Sequence, residues 1–200
     1  MKRKLRGAIL IVLGLALAFS GAALYARYER EAAVAGQNAH QLLQALHDDL
    51  SQRHLLGVEA EAPEGQMPQI MLDGYALLGV FTAEEAGIRL PIIENWDYEK
   101  LKHSPCRYSG SLAEGNLVLL GHNYASHLGN LSQLEVGDSV TFTDVTGKTY
   151  CFCVAETATL HPEQVQAVEE SPYPLTVFTC TPSGKSRFVL YCDAAAEAGQ

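Results

Sequence analysis

Apolar positions fall along this chain in three successive patterns. Residues 7–26 read GAILIVLGLALAFSGAALYA, with no charge between Arg6 and Arg27. At about 1.5 Å per residue such a run makes about 30 Å of helix, the thickness of a bilayer's hydrocarbon core. It predicts an uncleaved membrane-spanning anchor. A cleaved signal peptide is the alternative, since Ser20, Gly21 and Ala22 are small. The run nevertheless exceeds the roughly 7–15 apolar residues usual for a signal peptide. From 29 to 56, Leu43, Leu46 and Leu50 recur at helical spacing and predict a helical stalk. Residues 57–69 are acidic, aperiodic and contain Pro and Gly, which reads as a linker.

From about Ile70 the pattern shortens to strand-like runs: Tyr75–Phe81, Ile88–Ile93, Leu117–Gly121, Ser139–Thr143, Thr149–Thr157, Leu175–Cys180 and Arg187–Cys192. Turn residues separate them, as in Glu114-Gly115-Asn116, Val136-Gly137-Asp138, Thr146-Gly147-Lys148 and Pro182-Ser183-Gly184. Brief helices are expected near Tyr98–Lys102 and Pro162–Glu169. Seven or eight short strands predict a mainly β fold, a closed or nearly closed barrel. The expected organisation is a basic cytoplasmic tail (1–6), the anchor (7–26), a helical stalk and linker (27–69) and a β-barrel domain (70–200).

Charge fixes the expected orientation. Lys2, Arg3, Lys4 and Arg6 precede the apolar run, which places the N-terminus in the cytoplasm and the barrel outside. Of 14 basic residues, ten lie beyond the anchor against all 23 acids, a net charge of −13. That excludes a nucleic-acid partner, which requires clustered Lys and Arg.

Five cysteines leave at least one thiol unpaired within the chain. Cys151 and Cys153 share one strand face and are expected to be buried and free; Cys106 and Cys192 stay open. His40, His47 and His54 recur every seven residues, about 10.5 Å apart along a helix, too far for one ion to take two of them. They read as a solvated stripe. No metal is assigned.

The candidate chemistry lies at strand ends. Leu175–Cys180 closes on a thiol, Arg187 opens the next strand, and Leu117–Gly121 leads into His122. A thiol attacks carbonyls as thiolate and needs a nearby base or cation. His122 can exchange protons with the leaving and entering amines. Arg187 cannot act as a base, but its fixed donors can hold an oxyanion or the substrate backbone. His127 is the rival base, set in a loop rather than at a strand end.

These elements resemble the sortases, membrane-anchored cysteine transpeptidases. The resemblance is carried by Gly121-His122 after an apolar strand, Thr179-Cys180 ending another, and Arg187 opening the last. It extends through Leu78-Gly79-Val80-Phe81, Gly87-Ile88-Arg89-Leu90-Pro91-Ile92, Asn130-Leu131, Leu134 and Gly137-Asp138-Ser139-Val140. It implies an eight-stranded sortase-type β-barrel and catalysis by His122, Cys180 and Arg187, with Asn123 and Thr179 as candidate substrate contacts. The implied reaction cleaves a C-terminal LPXTG-like sorting signal of a surface protein through a Cys180 thioester. A cell-wall (peptidoglycan-precursor) or pilin amine then accepts the acyl group. No cofactor is implied, and calcium dependence stays open. No Asp-Pro occurs in the chain, so the lid of the pilin-polymerising sortases is missing. An anchored cysteine hydrolase and a non-catalytic binding barrel are the competing readings.

Overall fold

The computed structural model describes residues 2–56, 66–164 and 166–195. Two helices and nine strands are defined among them: α1 (Lys2–Leu56), β1 (Ile70–Leu72), β2 (Tyr75–Ala83), β3 (Ile88–Ile93), β4 (Cys106–Ser109), β5 (Leu117–Gly121), β6 (Ser139–Asp144), β7 (Thr149–Leu160), α2 (Gln166–Glu169), β8 (Leu175–Cys180) and β9 (Arg187–Ala194). Residues up to Val34 form one unit and those from Ala35 onward a second.

Strands β2 to β9 run around a ring in the order β2-β3-β4-β5-β8-β9-β7-β6, and β6 pairs back onto β2 to close it. This is the eight-stranded barrel expected; β1 is an added hairpin strand on β2. Closure draws β2 against two neighbours, Gly79 facing Ile92 on β3 and Asp144 on β6. A side chain at Gly79 would place its Cβ 2.2 Å from the Thr143 carbonyl oxygen, so only glycine admits the approach. Leu78, Phe81, Leu119, Phe142, Val177 and Leu190 fill the interior.

β4 departs from the expected strands. Cys106-Arg107-Tyr108-Ser109 lacks an apolar run, yet it bridges β3 and β5, parallel to the first and antiparallel to the second. Arg107 secures this junction by donating to both Glu94 oxygens and to the Gly110 carbonyl.

The first unit carries the exposed apolar side chains of Ile9, Leu10, Leu13, Leu17 and Phe19, and α1 is long and apolar enough there to cross a membrane. From Ala35 onward α1 is not a free stalk. Ala35, Ala39, Leu42 and Leu46 are buried at 3–4 spacing. Leu42 and Leu46 pack with Ile70, Leu77, Ile93 and Cys106. The periodicity identified the helix but not the barrel wall that covers its apolar face. His40, His47 and His54 lie on the exposed side. Most of the expected linker, residues 57–65, lies outside the described residues, while Met67 is buried in the main core.

All five cysteines are free. Cys151 is exposed and Cys153 half-buried, contrary to expectation, because Phe152 and Val154 take the interior positions of β7. The buried thiols are Cys106 and Cys192, both pushed up to about 12 by burial.

Candidate active site

Strand register brings the three candidates together. β5 and β8 run parallel, with Gly121 opposite Thr179. One further step sets His122 beside Cys180. β8 and β9 run antiparallel, with Cys180 opposite Arg187. Side chains at paired positions share a face, so imidazole, thiol and guanidinium converge at one end of the β5–β8–β9 ribbon.

Alternation decides which face that is. Leu117 and Leu119 of β5, Leu175 and Val177 of β8, and Leu190 and Cys192 of β9 belong to the interior core. Val118, Phe178, Val189 and Tyr191 form a separate apolar cluster, with Leu120 and Tyr108 packed against it. Counting by two from these residues reaches His122, Cys180 and Arg187. The candidates therefore lie on the outer face, at the end of an apolar strip. Val168 of α2 is buried in the same cluster, and Glu169 accepts a 2.9 Å hydrogen bond from the Tyr108 hydroxyl. The Tyr108 ring meets Phe178 edge-on at 5.2 Å and stacks on Trp96 at 5.6 Å. Sequence reasoning missed this strip because both faces of β5 and β8 are apolar, and periodicity cannot then separate outside from inside.

The strand ends are tied by their own polar groups. Thr179 is buried and donates its hydroxyl to the Gly121 carbonyl at 2.8 Å. The Asn123 amide donates to the Thr181 carbonyl at 3.1 Å. Both side chains, expected to touch substrate, thus join the His122 and Cys180 segments. In the turn between β8 and β9, Thr181 N–H donates to the Ser186 carbonyl and Gly184 N–H to the Thr181 carbonyl. The Arg187 guanidinium rests on this turn, its Nη1 3.3 Å from the Gly184 carbonyl and 3.2 Å from that of Ser186. It makes no ion pair among the described residues.

His122 is half-buried and its ring lies 4.9 Å from that of Tyr124. His127 stands elsewhere: it is 1 % exposed, and its Nε2 lies 3.2 Å from the Ala35 carbonyl of α1. Burial pushes its pKa down to about 4. Its Nε2 is thus taken up by α1, whereas His122 directly follows the β5 end that pairs with the Cys180 segment. A groove of about 570 Å³ on the α1 side, lined by Leu43, Gln44, His47, Asp48 and Arg89, includes none of the three candidates.

The family model for the sortase domain matches residues 81–195. More than half of the chain lies within it, and the chain belongs to the sortase family. Solved structures share the fold. Sortase C-1 from Actinomyces oris is 24% identical with a TM-score of 0.53, over 59% of this chain and 73% of that one. A Clostridium perfringens sortase D5 transpeptidase is 16% identical with a TM-score of 0.56, over 82% of this chain and 99% of the other. Sortase A from Listeria monocytogenes is 18% identical with a TM-score of 0.54, over 60% and 88%. No curated protein matches.

Proposed function

We propose that this sortase is a membrane-anchored transpeptidase that joins surface proteins to a cell-wall amine through a Cys180 thioester. The observation that carries the reading is the convergence of His122, Cys180 and Arg187 at one end of an apolar strip on the outer face of β5, β8 and β9. The strip itself is buried and backs the site; the half-buried His122, Cys180 and Arg187 at its end are what an LPXTG-like sorting signal would meet.

In the first half-reaction the Cys180 thiol gives its proton to His122, and the thiolate sulfur attacks the Thr–Gly carbonyl carbon. The new C–S bond leaves a negative oxygen, which the Arg187 donors stabilise. The oxyanion collapses, the C–N bond breaks, and His122 protonates the departing nitrogen. In the second half-reaction an amine attacks the thioester, His122 takes its proton, the C–N bond forms as the C–S bond breaks, and the released Cys180 thiolate recovers a proton from His122. Proton and acyl group balance without a cofactor. Arg187 is available for this role because its present partners are two long contacts to turn carbonyls. Thr179 and Asn123 act by holding the strand ends in register. The apolar residues 7–26 anchor the enzyme with the barrel outside the cell, where peptidoglycan precursors or a pilin lysine offer the amine.

The test is incubation of the purified protein with a labelled LPXTG peptide, with and without oligoglycine or diaminopimelate. A ligated product is expected. Cleavage with water as the only acceptor would convert the reading to a hydrolase, and no turnover of any sorting-signal peptide would leave a non-catalytic barrel.

A further inference from the structure

His127 takes no part in the chemistry above, yet it is the most completely enclosed histidine of the barrel unit. Its Nε2 faces the Ala35 carbonyl, which only accepts, so Nε2 carries the proton. Nδ1 is then an acceptor, buried and without a donor among the described residues. A half-satisfied ring in a closed site is unfavourable in itself and calls for a reason.

The loop around it supplies one. Between His122 and Gly129 the backbone folds back on itself: His127 N–H and Gly129 N–H both donate to the Tyr124 carbonyl at 2.9 Å, and Leu128 N–H donates to the His122 carbonyl at 3.1 Å. The Tyr124 ring lies 4.9 Å from the His122 ring and 5.8 Å from that of His127. On the other side α1 presses closely, since a Cβ on Gly36 would lie 2.7 Å from the Ser126 Cβ. The helix and the histidine loop therefore meet through Ala35, Gly36, Ser126 and His127, one aromatic ring away from His122.

We propose that His127 is a positioning residue whose hydrogen bond to Ala35 clamps the 122–129 loop onto α1 and so fixes the direction in which His122 faces Cys180. The proposal rests on the reading of His122 as the acid/base. Burial keeps the His127 ring neutral at physiological pH, so the same single donor is always presented to the helix. The second half of α1 thereby becomes part of the catalytic unit rather than a spacer from the membrane.

The test compares the full-length protein with His127→Leu, His127→Gln and Gly36→Val. Two quantities are read: hydrogen exchange at the amides of residues 122–129, and acylation of Cys180 by a labelled LPXTG peptide. His127→Leu and Gly36→Val should speed exchange at Leu128 and Gly129. They should also lower kcat by about tenfold to a hundredfold with KM little changed, the loss expected for a misdirected catalytic group. His127→Gln should recover both, because its amide can donate to the same carbonyl. Equal impairment of the Gln and Leu variants at matching melting temperatures would overturn the proposal, as would wild-type kcat in His127→Leu. Should His127→Leu fail to fold, Gly36→Val decides in the same way. If the wild type does not acylate, the functional reading fails, and unchanged exchange in the variants separately overturns the clamp.

Discussion

The interior and outer faces of the β5–β8–β9 ribbon are built from the same five- to eight-residue runs but do opposite work. Inside, Leu117, Leu119, Leu175, Val177 and Leu190 meet other apolar side chains and close the core. Outside, Val118, Phe178, Val189 and Tyr191 form a second, smaller cluster that stops where His122, Cys180 and Arg187 begin. Each strand thus closes the core with one set of alternate positions and carries a candidate group at the end of the other, odd and even respectively in β5 and β8 and reversed in β9. The candidate groups sit where the strands leave the sheet, half-buried just beyond the buried outer cluster.

The sharpest way to break this comparison is Cys180→Ala. It removes the nucleophile from the outer face and leaves the interior untouched, so thioester formation should vanish while the melting temperature stays within a few degrees. Turnover by the variant would end the proposed mechanism. His122→Ala should follow with a loss of about 10²–10⁴ in kcat/KM, the usual range for a general acid/base. A loss below tenfold would remove His122 from proton transfer.

Arg187→Lys keeps the charge but not the planar fork of donors. Acylation, followed by mass spectrometry in single turnover, should slow by about 10²–10³. Near-normal acylation in the Lys variant would show that charge alone suffices; near-normal acylation in Arg187→Ala would detach this residue from the site. The cysteines extend the contrast between faces. Cys106 and Cys192, with pKa values of about 12, hold only about one thiolate in 10⁴ at pH 8. Alkylation of the folded protein should modify Cys180 and inactivate it, while these two react only after unfolding.

Much of this contrast is legible in the sequence, and the parts that are not share a physical cause. Ile88–Ile93, Leu117–Gly121 and Leu175–Cys180 were readable to the residue because each is a dense apolar run bounded by turn residues. β4 was not, since Cys106-Arg107-Tyr108-Ser109 becomes a strand only through partners on both sides. Nor was the turn of 3₁₀ helix at Gly129–Gln133, where Asn-Leu-Ser-Gln has no helical periodicity. The positions of His122, Cys180 and Arg187 follow from strand ends, but the outer strip behind them depends on which way a doubly apolar strand turns. The burial of His127 depends on a helix some ninety residues upstream, a separation over which local pattern carries no information.

The two histidines of the 122–129 loop give the finest form of the comparison, and one that needs no substrate. Burial pushes the His127 pKa from its ordinary 6.5 down to about 4. Between those values the unfolded chain binds the proton and the folded chain does not, so stability falls as pH drops through this window. The difference corresponds to about 3 kcal/mol, fully present above pH 6.5 and lost by pH 4. His127→Gln keeps the donor to Ala35 and cannot titrate. Urea unfolding of wild type and variant at pH 7.5 and pH 4.5 should show the wild type losing about 2–3 kcal/mol more than the variant over that range. Identical acid sensitivity in wild type and His127→Gln would mean that the buried ring takes its proton without leaving Ala35, and the contrast between the two histidines would reduce to one of position alone.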